Sequence, residues 1–166
     1  ITDYEKIKYL KSSSIGLILF CLLSCDYFVA GSYPYAEIYE LNYQEEDVKN
    51  AIETFKQKYP DYIVPKVTID NKIFVDLSDE QTKNPAHWYK FYFYYTEENQ
   101  IIYTWTRSFE KGKTKFAFVS VNDGLKLVNW RDINHDFNRS ENKEQKRKFE
   151  ERILKKIEEI LRKGSN

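Results

Sequence analysis

Methionine is absent from the sequence, and cysteine occurs only as Cys21 and Cys25. Because neither cysteine has a partner elsewhere in the chain, a disulfide framework is excluded. An excess of charge of one sign is also missing, since 26 basic residues balance 26 acidic ones. A uniform electrostatic attraction to nucleic acid or to acidic lipid is therefore not expected. Without a methionine at its start, the native chain is expected to have further residues before Ile1.

What the sequence does contain is enough for one folded domain. Its 166 residues can bury a hydrophobic core but are few for two separate domains. Aromatic residues make up 17% of the chain and are concentrated in its middle. Such a composition favours a packed, strand-rich core and argues against intrinsic disorder.

The first 25 residues have the layout of a secretory signal. Lys6, Lys8 and Lys11 precede an apolar run at residues 15–23, and small residues follow it. The run is nine residues long. A helix that crosses the hydrocarbon core of a bilayer needs ~20 apolar residues. Two other interpretations of the run stay open, namely a buried element of a soluble protein and an uncleaved membrane anchor.

The end of this segment resembles the lipobox of bacterial lipoprotein precursors. The resemblance rests on Leu22, Leu23, Ser24 and Cys25, in which a small residue precedes the cysteine. It implies diacylglyceryl transfer to the Cys25 thiol, cleavage between Ser24 and Cys25, and acylation of the new amino terminus. Two or three acyl chains supply the stable anchoring that one chain does not. The implied partner is a membrane, and the implied location is the bacterial cell envelope. Because no acidic run follows Cys25, we expect the domain to face the periplasm.

Three segments are predicted along the chain: a signal peptide at 1–24, a lipidated cysteine and tether at 25–36, and one globular domain at 37–166. The domain is expected to begin with an amphipathic helix that Asn42 caps, with Glu45 as the reciprocal partner. The apolar positions that recur at helical spacing are Val48, Ala51, Ile52, Phe55 and Tyr59. The opposite face is expected to be solvated and carries Lys49, Asn50, Glu53, Lys56 and Lys58.

Strands are predicted between this helix and a second amphipathic helix at about 140–163. Residues 88–95 and 101–107 read as a hairpin around a polar loop. The other β-prone stretches are 62–64, 67–69, 73–77, 114–121 and 126–130, and the expected turns are 70–72, 109–113 and 123–124. Consecutive strands with short connections form an antiparallel meander, here of about four to five strands. The predicted fold class is therefore α+β, with the N-terminal and C-terminal helices packed on the sheet.

Oxygen-bearing side chains alternate in the segment before the last helix. They belong to Asp132, Asn134, Asp136 and Asn138 and resemble the front of an EF-hand calcium loop. Phe137 stands where the tight turn of such a loop needs glycine, and Lys143 stands where it needs a bidentate glutamate. We favour the alternative that Asn138 or Ser140 caps the last helix, and we predict neither a metal site nor a cofactor.

The aromatic strands offer a candidate face for a ligand or partner. Alternation along the strands gives this face the residues Trp88, Tyr92, Tyr94, Tyr103, Trp105 and Arg107. Flat, amphipathic rings of this kind suit a sugar, a peptide or a protein partner. The alternative is that the same rings are core residues and cross-strand pairs.

Motifs of catalysis are missing from the sequence. His87 and His135 lie in different predicted loops, and neither has a catalytic signature around it. If Cys25 is lipidated, the mature chain has no cysteine nucleophile. We predict a non-catalytic binding or assembly domain with a protein partner in the envelope. Two alternatives stay open: a solute-binding, carbohydrate-binding or adhesion module that uses the aromatic face, and an envelope enzyme with a spatially assembled carboxylate site.

Overall fold

A computed structural model describes residues 33–69, 73–75, 77–82 and 88–164. Tyr35–Asn166 form one compact unit, and its described residues make up the sheet and helices of the fold. The predicted signal peptide, the cleavage position at Ser24 and Cys25, most of the tether, the turn at 70–72 and His87 lie outside the described residues.

An antiparallel sheet forms the centre of this unit. The strands are β1 (Glu37–Leu41), β2 (Val67–Ile69), β3 (Ile73–Val75), β4 (Glu80–Gln81), β5 (Tyr89–Tyr95), β6 (Gln100–Glu110), β7 (Lys113–Asp123) and β8 (Trp130–Asp132). Six of them make one sheet in the order β1-β7-β6-β5-β4, with β8 also paired to β7, while β2 and β3 pair separately. The predicted hairpin is confirmed as β5 and β6, with Tyr92 opposite Tyr103.

The two predicted helices are present. Helix α1 spans Glu45–Lys58 and a 3-10 turn follows it at Pro60–Tyr62. The C-terminal helix consists of α2 (Arg139–Phe149), a π-helical turn (Glu150–Leu154) and α3 (Lys155–Gly164). The α+β prediction, with an antiparallel sheet and helices packed on it, is therefore confirmed.

One face of the sheet carries both helices and the main core. The largest fully buried rings there are Phe55, Phe93, Phe116, Phe118 and Phe149. The stripe predicted for α1 enters this core, because Val48, Ala51, Ile52 and Phe55 are all buried. Apolar area removed from water stabilises a fold by about 25 cal/mol per Å², so this contact between helices and sheet carries much of the stability.

The predicted cap of α1 is wrong. The helix begins two residues later than an Asn42 cap implies, with Gln44 at the cap position and no side-chain cap bond from it among the described contacts. The Glu45 carboxylate instead accepts hydrogen bonds from the Thr106 hydroxyl at 3.1 Å and from the Ser108 backbone N–H at 3.0 Å. Glu45 therefore ties the start of the helix to strand β6.

The solvated face predicted for α1 also needs one correction. The Lys56 side chain is only 14% exposed and forms an ion pair with Asp79. Its ammonium group also donates to the Tyr92 carbonyl oxygen at 2.7 Å. Burial lowers the pKa of Lys56, and the neighbouring Asp79 charge opposes that shift.

Three local predictions in the β region are wrong. Residues 62–64 do not form a strand, because Pro60 begins a 3-10 turn and Tyr62 ends it against Phe55, with ring centroids 5.0 Å apart. The last strand is β8 rather than 126–130, and Leu127 has a positive φ of 55° that interrupts extended structure. Strand β6 continues to residue 110, so the turn that follows it consists of residues 111–112 and is shorter than the predicted 109–113. Gly112 makes this tight turn possible because it adopts a φ of 72°.

The start of the C-terminal helix agrees with the favoured interpretation. The Asn138 side chain accepts hydrogen bonds from the backbone N–H groups of Ser140 and Glu141, both at 3.0 Å. The Glu141 carboxylate accepts in return from the Asn138 backbone N–H, which completes a capping box. The predicted Asn138 cap is confirmed.

Candidate functional site

The residues of the predicted aromatic face fall into a buried group and a half-exposed group. Trp88, Trp105 and Tyr103 are only 5%, 6% and 9% exposed, and the two tryptophan rings pack with centroids 6.0 Å apart. Tyr92 stacks on Tyr103 at 5.1 Å across the β5–β6 pair. Tyr92 and Tyr103 are thus a directly opposed cross-strand pair, and Trp88 and Trp105 make a diagonal ring contact, as the alternative interpretation describes.

The remaining members of the predicted face are accessible only in part. Tyr94 and Arg107 are half-buried, and the Tyr94 hydroxyl donates to the Asn99 side-chain oxygen at 2.7 Å. Trp130, which the prediction did not include, borders the face with its ring 6.1 Å from that of Tyr103. The accessible aromatic surface thus lies towards the ends of the strands rather than at their centre.

Three of the four side chains in the calcium-like segment, those of Asn134, Asp136 and Asn138, accept hydrogen bonds from protein donors. The Asp136 carboxylate accepts from the Asp132 backbone N–H at 2.7 Å, and the Asn134 amide donates to the Tyr35 carbonyl at 3.0 Å. Burial and the neighbouring Asp136 charge raise the pKa of Asp132. Among the described residues, no group of three or more His, Cys, Asp or Glu side chains is arranged to hold a metal ion. The segment serves as a turn that leads into the Asn138 cap.

His135 is the histidine for which the structure describes contacts. Its ring stacks on Tyr35 with a centroid distance of 4.2 Å, and Nδ1 lies 2.7 Å from an Asp136 carboxylate oxygen. Both polar partners are exposed surface groups next to each other in sequence. This arrangement fixes the ring beside the segment before α2.

A cleft at the end of the β5–β6 hairpin is the strongest candidate site in the described part of the chain. It has a cavity volume of about 560 Å³ and is lined by Asp61, Tyr62, Tyr94, Tyr95, Thr96, Glu97 and Arg152. We call these seven residues the hairpin cleft. They come from the 3-10 turn, the hairpin and the π-helical turn, and ligand sites commonly occupy ~300–1,000 Å³.

Local structure holds the walls of the hairpin cleft in place. The Thr96 hydroxyl donates to the Asp61 carbonyl oxygen at 3.2 Å and so joins the hairpin loop to the 3-10 turn. Tyr62 meets Tyr95 edge-on, with ring centroids 6.2 Å apart. Because Tyr62 also packs on Phe55, the aromatic wall continues directly into the core.

Arg152 closes the other side of the cleft. It is placed by the π-helical turn, a feature that often occurs at functional sites. Its guanidinium group donates to the Glu98 carboxylate at 3.0 Å and lies 5.1 Å above the centre of the Tyr95 ring. Lys148 forms a second ion pair with Glu98 at 3.1 Å. Glu98 therefore connects the hairpin loop to two positions of the C-terminal helix.

Tyr95 occupies an unusual position at the base of the cleft. Its side chain is only 2% exposed, and its hydroxyl has no hydrogen-bond partner among the described residues. Burial, with a smaller contribution from Tyr62, raises the pKa of Tyr95 above its usual range, so the phenol stays protonated. A buried hydroxyl without a partner costs about 1–3 kcal/mol, and such a group calls for a functional or structural reason.

The Glu98 cluster predicts a pH-dependent stability. Burial by itself raises the pKa of Glu98, but hydrogen bonds from Arg152 and Lys148 outweigh it and hold that pKa below its usual value. A lowered folded-state pKa adds stability that is present above the unfolded pKa and lost as pH falls through the folded pKa. We expect Glu98→Gln to lower the free energy of unfolding by about 1–2 kcal/mol at pH 7, between the values for surface and buried pairs.

Urea unfolding of wild type and Glu98→Gln at pH 7 and at pH 3 checks this expectation. The difference between the two proteins should shrink at the lower pH, because the wild-type carboxylate is then partly protonated. Glu53→Gln, at an exposed position of α1, is the matched control and should show little difference at either pH. An equal deficit of Glu98→Gln at both pH values contradicts the ion-pair explanation.

Comparisons with known proteins identify no relative: no family model, no curated protein and no solved structure matches this chain. Among the described residues, no helix is long and apolar enough to cross a membrane. The class that the structure supports is therefore an α+β domain with a cleft at one end of its sheet.

Sequence reasoning found Tyr94 but missed the rest of the hairpin cleft. Its residues come from three separated stretches, 61–62, 94–97 and 152, and no local motif connects them. Alternation along strand β5 predicts that Tyr95 lies on the face opposite Tyr94, and the structure confirms this, because Tyr95 belongs to the buried core and Tyr94 is half-exposed. The cleft lies at the end of strand β5, where residues from both faces of the sheet can line it.

Proposed function

We propose that this protein is an envelope lipoprotein, anchored to a membrane through Cys25, whose α+β domain binds a ligand or partner rather than catalysing a reaction. The observation that carries the binding role is the hairpin cleft, which combines tyrosine rings with charged groups held in fixed positions. The anchoring role is supported by the signal-like layout of residues 6–23 and by the lipobox resemblance at Leu22, Leu23, Ser24 and Cys25.

Preorganisation favours binding as the role of the hairpin cleft. The ion pair with Glu98 fixes Arg152, and the Thr96 hydrogen bond fixes the 3-10 turn. Groups that are already ordered lose little conformational entropy when a ligand arrives. A domain with such a cleft, held close to a membrane by acyl chains and facing the periplasm, would meet ligands attached to the same membrane surface at a high local concentration.

The anchor is tested by metabolic labelling with a clickable palmitate analogue. We expect label on the wild-type protein and on Cys21→Ala, and no label on Cys25→Ala, because only the Cys25 thiol receives the diacylglyceryl group. The Cys21→Ala variant is the matched control, since it removes the other cysteine of the chain. Intact mass should show that the labelled product has lost residues 1–24.

Two results contradict the anchoring proposal. One is an unlabelled wild-type protein that keeps residues 1–24. The other is a label that persists in Cys25→Ala, because acylation would then occur elsewhere in the chain. Either result leaves the hairpin cleft to be judged by its own binding experiment.

A further inference from the structure

We infer that the hairpin cleft binds a neutral saccharide of one or two sugar rings. The inference deepens the proposed binding function and rests on it, because it assigns a ligand class to the same cleft. It does not depend on the lipid anchor.

The charges around the cleft argue against an anionic ligand. Asp61 and Glu97 contribute two carboxylates with exposed side chains. Among the seven residues of the hairpin cleft, Arg152 carries the positive charge, and its guanidinium is already paired with Glu98 at 3.0 Å and lies 3.9 Å from Glu97. A ligand carboxylate or phosphate would therefore have to compete with Glu98 and would also meet repulsion from Asp61 and Glu97.

A cationic ligand is disfavoured for a different reason. The natural place for a cation in an aromatic site is over the face of a ring. At Tyr95 this place is taken by Arg152, whose guanidinium carbon lies 5.1 Å from the ring centre. The next ring, Tyr62, has the Lys156 ammonium 5.4 Å from its own centre. A second cation would face like charges at both rings.

The groups that remain suit a neutral, polyhydroxylated ring. Tyr62 and Tyr94 are both half-exposed and offer ring surface against which the C–H face of a sugar can pack, and the Tyr94 hydroxyl is held by Asn99 at 2.7 Å. Asp61 and Glu97 accept hydrogen bonds from pairs of adjacent sugar hydroxyls, and Arg152 donates them. A cavity of about 560 Å³ can hold a small saccharide with its solvating water.

The experiment uses the full chain in detergent micelles and isothermal titration with disaccharides of different charge. The neutral probes are maltose, cellobiose and N,N′-diacetylchitobiose; the cationic probe is the disaccharide of glucosamine, and the anionic probe is digalacturonic acid. We expect at least one neutral probe to bind with a Kd below 5 mM. The charged probes should bind at least ten-fold more weakly.

Tyr94→Ala tests whether the binding occurs in the hairpin cleft. Its half-exposed ring can be removed without opening the core, and we expect the affinity to fall at least ten-fold. Tyr94→Phe keeps the ring and should restore most of the affinity. The matched control is Tyr35→Ala, which removes an exposed ring beside His135 and should leave the affinity unchanged.

Each contrary outcome overturns the saccharide inference. These outcomes are no binding of any neutral probe at 20 mM, binding of a charged probe as strong as that of the neutral ones, and an unchanged affinity in a folded Tyr94→Ala. If palmitate labelling succeeds while the titrations fail, the ligand class is wrong but the lipoprotein proposal stands. If the titrations succeed while labelling fails, the anchor is wrong and the saccharide site stands.

Discussion

Replacing Phe149 with alanine is expected to lower the free energy of unfolding by about 3–5 kcal/mol, the range for a large buried aromatic side chain. Phe149 is fully buried between the C-terminal helix and the sheet. Its ring stacks on Phe118 at 4.7 Å and packs against Phe116 and Tyr39, each at 5.5 Å. Alanine would remove all three ring contacts and leave a cavity at the centre of the core.

Urea unfolding monitored by tryptophan fluorescence measures this loss. Phe149→Leu should lose less stability than Phe149→Ala, because leucine keeps much of the apolar volume. Val128→Ala is the surface control, since Val128 is 64% exposed and surface changes usually stay within about 0.5 kcal/mol. A loss below about 1 kcal/mol in Phe149→Ala would mean that the helix does not depend on this ring to hold the sheet.

The position of Phe149 also connects stability with the cleft. The π-helical turn begins at the next residue and carries Arg152. The first residue of this turn, Glu150, accepts a hydrogen bond from the Tyr39 hydroxyl at 3.1 Å. Burial and the charge of Glu150 raise the pKa of Tyr39 above its usual range. The packing of Phe149 therefore sets where Arg152 stands relative to the hairpin. We expect conservative core changes here to disturb the cleft before they unfold the domain.

Periodicity was a reliable guide wherever one face of an element is buried. The helical spacing of Val48, Ile52 and Phe55 predicts the buried stripe of α1, and the structure shows all three in the core. Alternation likewise predicts that Phe91 and Phe93 share the face of strand β5 opposite Tyr92, and the structure shows both in the core. Both patterns succeed because burial selects side chains at the period of the backbone.

Local sequence rules failed where a distant partner decides the structure. The capping rule selected Asn42, but Glu45 bonds to Thr106 and Ser108, which lie 61 and 63 residues further along the chain. Residues 62–64 have a high β propensity but do not form a strand, because Tyr62 packs on Phe55 instead. Such contacts exist only after the sheet has formed, so no window of neighbouring residues contains them.

The π-helical turn had no signal in the sequence. The apolar residues Phe149, Ile153 and Ile157 recur at intervals of four, which an ordinary α-helix would also satisfy. The turn is defined by its backbone hydrogen bonds, and it carries Arg152, which forms an ion pair with Glu98 at 3.0 Å. The cleft that depends on it could therefore not be predicted from periodicity.

Replacing Asp79 with alanine is expected to have the second largest effect. The free energy of unfolding should fall by about 2–3 kcal/mol, slightly below the range for a fully buried ion pair. The Asp79 carboxylate accepts from the Lys56 ammonium at 2.7 Å and from the Tyr92 backbone N–H at 3.1 Å. Alanine would leave Lys56, only 14% exposed, without its counter-charge. An unpaired charge in this position costs more than the pair contributes.

A double-mutant cycle separates the pair from its surroundings. We expect Lys56→Met with Asp79→Ala to be more stable than Asp79→Ala alone, because methionine fills the same space without a charge to desolvate. Lys49→Met with Asp79→Ala is the control, since Lys49 lies on the same helix and pairs with Glu46 instead. If both double variants are equally stable, Asp79 acts through the Tyr92 backbone and not through Lys56.

The pH dependence of Asp79→Ala gives an independent check with a defined sign. Burial already lowers the pKa of Lys56, and loss of the Asp79 charge should lower it further. A lowered folded-state pKa adds stability above the unfolded pKa of about 10.4, and that stability is lost as pH falls through the folded pKa. The deficit of Asp79→Ala should therefore be full at pH 7 and become smaller as pH approaches about 10, where unfolded lysine also begins to lose its proton. A deficit that stays constant over this range would show that Lys56 finds another counter-charge or reaches water when Asp79 is removed.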